Sequence, residues 1–154
     1  MKTPLPARQL RGHDGPHMKY PKSPQEKVGG LVYFGRMAEK IRHMDAGELH
    51  PDLHANLGKG FDERCMSFLG VKYGDLRGKL LEGLSDAQAL EWCFENGRRP
   101  TDEQIEIWNA FMSKRGWNDE VAEILARRKK ESGLESRDDI QTMFQYIDAD
   151  EGRL

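Results

Sequence analysis

"EKVGGLVYFGRMAEKIRHM", residues 26–44, decides how the chain is read. Three glycines, Gly29, Gly30 and Gly35, interrupt a stretch otherwise spaced like a helix. From Leu31 onward, Leu31, Phe34, Ala38 and Ile41 fall on one apolar stripe, with Arg36, Lys40 and His43 opposite. The run from Gly30 to Met37 approaches the phosphate-loop pattern G-x-x-x-x-G-K-[ST]. Arginine and methionine stand where that loop needs its lysine and its hydroxyl. The residues between the glycines are large and apolar, and no strand pattern precedes them. The glycines are therefore read as places where another segment approaches the backbone closely. Upstream, Ser23-Pro24-Gln25-Glu26 has a cap, a first-turn proline and a box-forming acid, which predicts that this helix starts at Pro24.

The same grammar recurs downstream. Asp62 is expected to cap a helix that stops at Gly70, with Phe61 and Met66 as its hydrophobic staple. A short helix over 73–83 follows. Ser85-Asp86-Ala87-Gln88 and Thr101-Asp102-Glu103-Gln104 are capping boxes, for helices ending at Asn96 and before Gly116. The second carries Ile105, Trp108, Phe111 and Met112. Asn118 is expected to cap a helix stopped at Gly133. Ser136 is expected to cap the last, on which Ile140, Met143, Phe144 and Ile147 are spaced i, i+3, i+4, i+7. No five residues alternate with period two. The expectation is an all-α protein, a single compact domain of six or seven helices over residues 23–154. Residues 1–22, with four prolines, form an extended arm.

Composition narrows the function. The chain has 154 residues, 32% of them charged, and a net charge of −2. Residues 1–60 hold 10 basic and 6 acidic side chains, while residues 61–154 hold 14 and 20. An acidic total argues against nucleic-acid binding, and no apolar run is long enough for a membrane span or a secretory leader. A cytoplasmic location follows as the default. Cys65 and Cys93 are isolated from one another in sequence and read as reduced, buried thiols.

Several polar groups are candidates for a site. Arg36 and Lys40, joined by Arg64, offer a cationic surface for a carboxylate or phosphate; the plainer reading of the Arg36–Lys40–His43 face is solvent. His50 and His54 have a metal-compatible spacing but lack a third ligand, so they are expected to be exposed loop residues, and no metal or cofactor is expected. The Arg127–Lys130 run belongs to a helix C-terminus, where cations complement the dipole. Asp148, Asp150, Glu151 and Arg153 close the chain in a polar cluster too short for a calcium loop.

Four blocks in order, "SPQEKVGGLVYFGRMAEKIR", "FDERCMSFLGV", "LEWCFENGRRPTDEQIEIWNAFM" and "SRDDIQTMFQYIDADEGR", resemble the bacterial domain of unknown function 5069 family. The resemblance covers about residues 20–153 and implies a mostly helical bacterial protein, with no activity attached. It carries over to Ser23, Gly29, Gly30, Arg36, Lys40, Arg42, Asp62 and Arg64, to Glu91, Trp92 and Asp139, and to Asp148, Asp150, Glu151 and Arg153. Gln145 stands where the family pattern has an acid, and Glu39 where it has an aspartate.

The function expected is a binding module for a small anionic ligand or a protein partner. Its site would use Arg36, Lys40, Asp62, Arg64, Trp92, Asp148, Asp150 and Arg153. The alternative is an enzyme working through shifted carboxylates such as Asp62 and Asp148 in an inter-helix cleft. A homodimer through Trp108 and Trp117 is a third expectation.

Overall fold

The computed structural model describes residues 18–154, so most of the expected arm lies outside the described residues. The fold is all-α apart from one tiny hairpin. In order come β1 (Lys27–Val28), β2 (Leu31–Val32), α1 (Phe34–Asp45), a 3-10 helix (Pro51–Asn56), α2 (Phe61–Leu69), α3 (Tyr73–Leu81), α4 (Asp86–Asn96), α5 (Asp102–Lys114), α6 (Ala122–Glu131) and α7 (Met143–Asp150). Seven α-helices among the described residues match the upper end of the expectation. Among the described residues, 18–109 form one compact unit and 110–154 another, so the division falls within α5.

The start of α1 corrects the sequence reading. Ser23-Pro24 makes a turn, with the Ser23 hydroxyl accepting from the Gln25 amide, and the chain then enters the hairpin. Val28 pairs with Leu31 and Lys27 with Val32, leaving Gly29-Gly30 as a two-residue connection. Both glycines have positive φ, 55° and 82°, which is the backbone of a type I′ turn. That requirement overrides the helix-start signature. Gly29 is also a close-approach point, as expected: a Cβ there would come within 2.8 Å of Leu90 Cδ2.

The outer edge of β2 is closed by side chains of α5. Asn109 donates from Nδ2 to the Gly30 carbonyl at 2.8 Å and accepts at Oδ1 from the Val32 amide at 3.0 Å. A neighbouring strand would make the same two bonds, so one amide side chain replaces it. Trp108 adds a bond from Nε1 to the Val32 carbonyl at 3.1 Å and stacks on Phe68 at 4.6 Å. Trp108 is thus a core residue, 4% exposed; Trp117 is 56% exposed.

The expected stripe of α1, Leu31, Phe34, Ala38 and Ile41, is buried. So are Gly35, Arg36, Met37 and Lys40, because α1 packs against α3, α4 and β1 on different sides. Lys19 bridges to Leu49 beside it, and Lys22 reaches Asp86 at the start of α4. In the second unit the core gathers Met112, Leu125, Ile140, Met143, Phe144 and Tyr146.

Other boundaries divide in the same way. Both expected capping boxes form, Ser85 with Gln88 and Thr101 with Gln104. Gly70 ends α2 in the left-handed conformation, φ 72°. Phe111 is 39% exposed and lies under the Arg115 guanidinium. Asn118 caps nothing; Asp119 instead accepts from the Gly116 and Val121 amides and sets the turn into α6. Ser136 does not start the last helix either. Residues 134–141 are irregular, held by Lys129 Nζ donating to the Arg137 and Ile140 carbonyls, and Thr142 caps α7 in a box with Gln145. The glutamine at that position is therefore a capping partner.

Among the described residues, no helix is long and apolar enough to cross a membrane.

Candidate functional site

Tyr33 precedes α1 and Lys40 lies two turns along it; both side chains meet Asp62 in the first turn of α2. Asp62 was expected to be a helix cap, but Gly60 occupies the cap position and the carboxylate points inward. Lys40 Nζ sits 2.7 Å from Asp62 Oδ1. The Tyr33 hydroxyl donates to the same oxygen at 2.5 Å, and the Gly58 amide donates to Oδ2 at 2.9 Å. Lys40 Nζ also donates to the Tyr33 hydroxyl at 3.1 Å. All three side chains are buried, Asp62 completely.

Tyr33 adopts φ 77°, a conformation that costs a non-glycine residue about 1–3 kcal/mol. The surroundings over-determine it. Its phenol is tied to Asp62, its ring packs edge-on to Phe61 at 5.7 Å, and its amide bonds to the Pro24 carbonyl at 2.9 Å.

Burial raises the acidic groups around Asp62, and the Asp62 charge adds to it for three of them. Burial, then the charge of Asp62, pushes the Tyr33 phenol well above its ordinary range, so at neutral pH it is a hydrogen-bond donor. Burial and then Asp62 lift Tyr73 to about 12. Burial, followed by Asp62 and Cys93, drives the Cys65 thiol up, and burial lifts Cys93 to about 12. Both thiols are free and buried, as expected, and stay protonated rather than nucleophilic.

The predicted site residues do not converge as one group. Lys40 and Asp62 come together. Arg36 lies one turn before Lys40, buried, and donates to the Lys22 carbonyl at 3.2 Å. The solvated face expected for Arg36 and Lys40 is therefore interior. Arg64 is exposed on α2, and Trp92 is half-buried on α4. Asp148 and Arg153 belong to the second unit, where Arg153 bonds Asp148 at 3.1 Å and Glu151 at 2.8 Å, closing the end of α7. Asp150 is half-buried there. His50, expected in solvent, is buried: it stacks on Tyr20 at 4.5 Å and accepts at Nδ1 from the Asp52 amide. Its neighbour in spacing, His54, bonds the Leu49 carbonyl. Sequence reasoning missed Tyr33 because it fell inside the helix expected from Pro24 and off that helix's apolar stripe, whereas in the structure it precedes α1.

Around Lys22 a second network joins the chain before the hairpin to α1 and α4. Lys22 Nζ meets Asp86 at 2.9 Å and Glu39 at 3.6 Å, and Arg42 meets Asp86 at 2.6 Å. Partial burial pulls the Asp86 carboxyl upward, but hydrogen bonds from Lys22 and Arg42 win and lower it below 3.8. A lowered carboxylate stabilises the fold above its unfolded value and loses that contribution as pH falls through the folded one. Urea denaturation of wild type and Asp86→Asn should therefore differ more at pH 6 than at about pH 2.5. An equal difference at both would show that the pairing contributes nothing through charge.

Beside the hairpin lies an open cleft of about 450 Å³. One wall is Lys27 with the Gly29-Gly30 turn. The other is a single stripe of α5, Asp102, Ile105, Glu106 and Asn109, spaced i, i+3, i+4, i+7. Among the described residues, the side chains of Lys27, Asp102 and Glu106 have no ion pair or hydrogen bond.

A mostly helical protein with a closed Lys–Tyr–Asp cluster and a polar cleft on the same unit is the class these features define. The chain belongs to the DUF5069 family, a domain of unknown function, which matches residues 18–153. No curated protein matches it.

Proposed function

We propose that the protein is a binding module for a protein partner, a segment of which docks in the cleft between the Gly29-Gly30 turn and α5. The observation that carries this is the unpaired set lining the cleft: Asp102 and Glu106 one turn apart, facing Lys27 across exposed glycine backbone. The volume lies in the range of small-ligand pockets, roughly 300–1,000 Å³. Two carboxylates against one lysine favour a segment carrying a basic side chain, and Ile105 offers it an apolar floor.

The test uses a short peptide with a central arginine between valines, and its twin with citrulline in place of the arginine. In ¹⁵N-resolved NMR, the arginine peptide should shift the Gly29 and Gly30 amides and the Asn109 side-chain amide. Asp102→Asn with Glu106→Gln should weaken binding by roughly tenfold, since exposed pairs are worth about 0.2–1 kcal/mol each. Silence at Gly29, Gly30 and Asn109 with both peptides at millimolar concentration would overturn the docking reading. Equal binding of the two twins would retain the cleft and discard the charge preference.

A small anionic ligand near Arg36, Lys40 and Arg64 is the second reading. It is favoured by Arg36 and Lys40 lying one turn apart on the same side of α1. It is the weaker reading because Lys40 already faces Asp62. A thermal-shift series with phosphorylated and carboxylated metabolites would detect it. Acid–base catalysis by Asp62 has less support still, as three donors occupy that carboxylate and it has no exposed surface.

A further inference from the structure

The second unit carries a helix face that is complementary to itself. On α6, Glu123, Ile124, Arg127 and Lys130 are all exposed, spaced along one stripe. Glu120, in the turn before the helix, extends the stripe; its side chain is 78% exposed, although one oxygen pairs with Arg115 at 3.1 Å. The stripe is acidic at one end and basic at the other, with Ile124 (36% exposed) in the middle. Glu123 and Arg127 stand i, i+4 on the same helix, yet no ion pair forms between them or with any other described residue.

We propose that this face of α6 pairs with the same face of a second copy of the chain, antiparallel about a two-fold axis. The register that sets position 125 opposite itself aligns both charge pairs at once. With about 1.5 Å of rise per residue, Glu123 and the partner's Arg127 fall at one level, about 3 Å from the axis. Glu120, in the turn before the helix, then lies toward the partner's Lys130. The two-fold repeats each pair, so four attractions flank an apolar centre made by Ile124 from both copies. Acid at the start and base at the end also suits the dipole of a lone helix. The dipole alone gives no reason for an isoleucine on the exposed stripe.

The experiment is sedimentation equilibrium of the full chain with two variants, Glu123→Arg and Arg127→Glu. Both positions are exposed, and circular dichroism should confirm that both variants stay folded. Wild type should form a reversible dimer that weakens with added salt. Each variant alone places like charges across the axis and should weaken self-association by roughly tenfold or more. Mixing the two should restore a 1:1 dimer, because positions 123 and 127 are then both basic on one face and both acidic on the other, while the Glu120–Lys130 pairs are unchanged. Three outcomes would overturn the proposal: a wild-type monomer up to about 300 µM, self-association unchanged in both variants, or variants that weaken alone but fail to pair when mixed.

Discussion

Replacing Lys40 with methionine is expected to destabilise the protein by about 3–5 kcal/mol, because it leaves the Asp62 carboxylate buried without its counter-ion. Lys40 side-chain exposure is 6% and that of Asp62 is 0%, so water cannot replace the lost charge. The loss should show as a shift in urea midpoint at an unchanged slope. Lys40→Met combined with Asp62→Leu should cost less than Lys40→Met alone, since no unpaired charge is then buried. A single-variant loss below about 1 kcal/mol would mean that the cluster opens to solvent readily. In that case Lys40 would be available to an anion, and the second functional reading would gain.

Trp108→Ala should cost a similar amount, about 3–5 kcal/mol, by opening a cavity where the indole stacks on Phe68. Trp108→Phe separates the two roles of this side chain. It keeps a ring in the core but removes the donor to the Val32 carbonyl, for an expected loss of about 1–3 kcal/mol. Hydrogen exchange at the Val32 amide reports the same junction. In Trp108→Ala that amide should lose protection along with the hairpin, while amides of the second unit such as Tyr146 keep theirs. Uniform loss of protection would instead mean that the hairpin junction has no local stability of its own.

The helices and most of their ends were legible because they depend on short-range chemistry. Ser85 with Gln88 and Thr101 with Gln104 close their boxes within four residues, and Gly70 ends α2 where its missing Cβ tolerates a left-handed turn. Even so, local signals misled where two competed. Ser23-Pro24 looks like a helix start, but the Gly29-Gly30 pair demands a tight hairpin six residues on. Ser136 looks like a cap, yet Lys129 holds that segment by its carbonyls and Thr142 starts the helix instead.

The site was legible only in part. Arg36, Lys40 and Asp62 drew attention as charged residues, but periodicity assigned the first two to solvent, because a helix packed on one side leaves its other side wet. In α1 that premise fails, since α3, α4 and β1 contact it from different directions. Asp62 looked like a cap because acids commonly fill that position. Asn109 gave no signal at all: nothing in its neighbours reveals that it will complete a strand edge 77 residues away.

By itself, the sequence determined a mostly helical protein, the extents of its middle helices and its family, because caps, stops and apolar spacing act within a few residues. The tertiary structure alone decided that Lys40 and Asp62 neutralise each other beside Tyr33, that Asn109 closes the hairpin edge, and which carboxylates are left unpaired at the cleft. Those outcomes depend on which distant segments share a dry interior, and burial sets the strength and the fate of every charge.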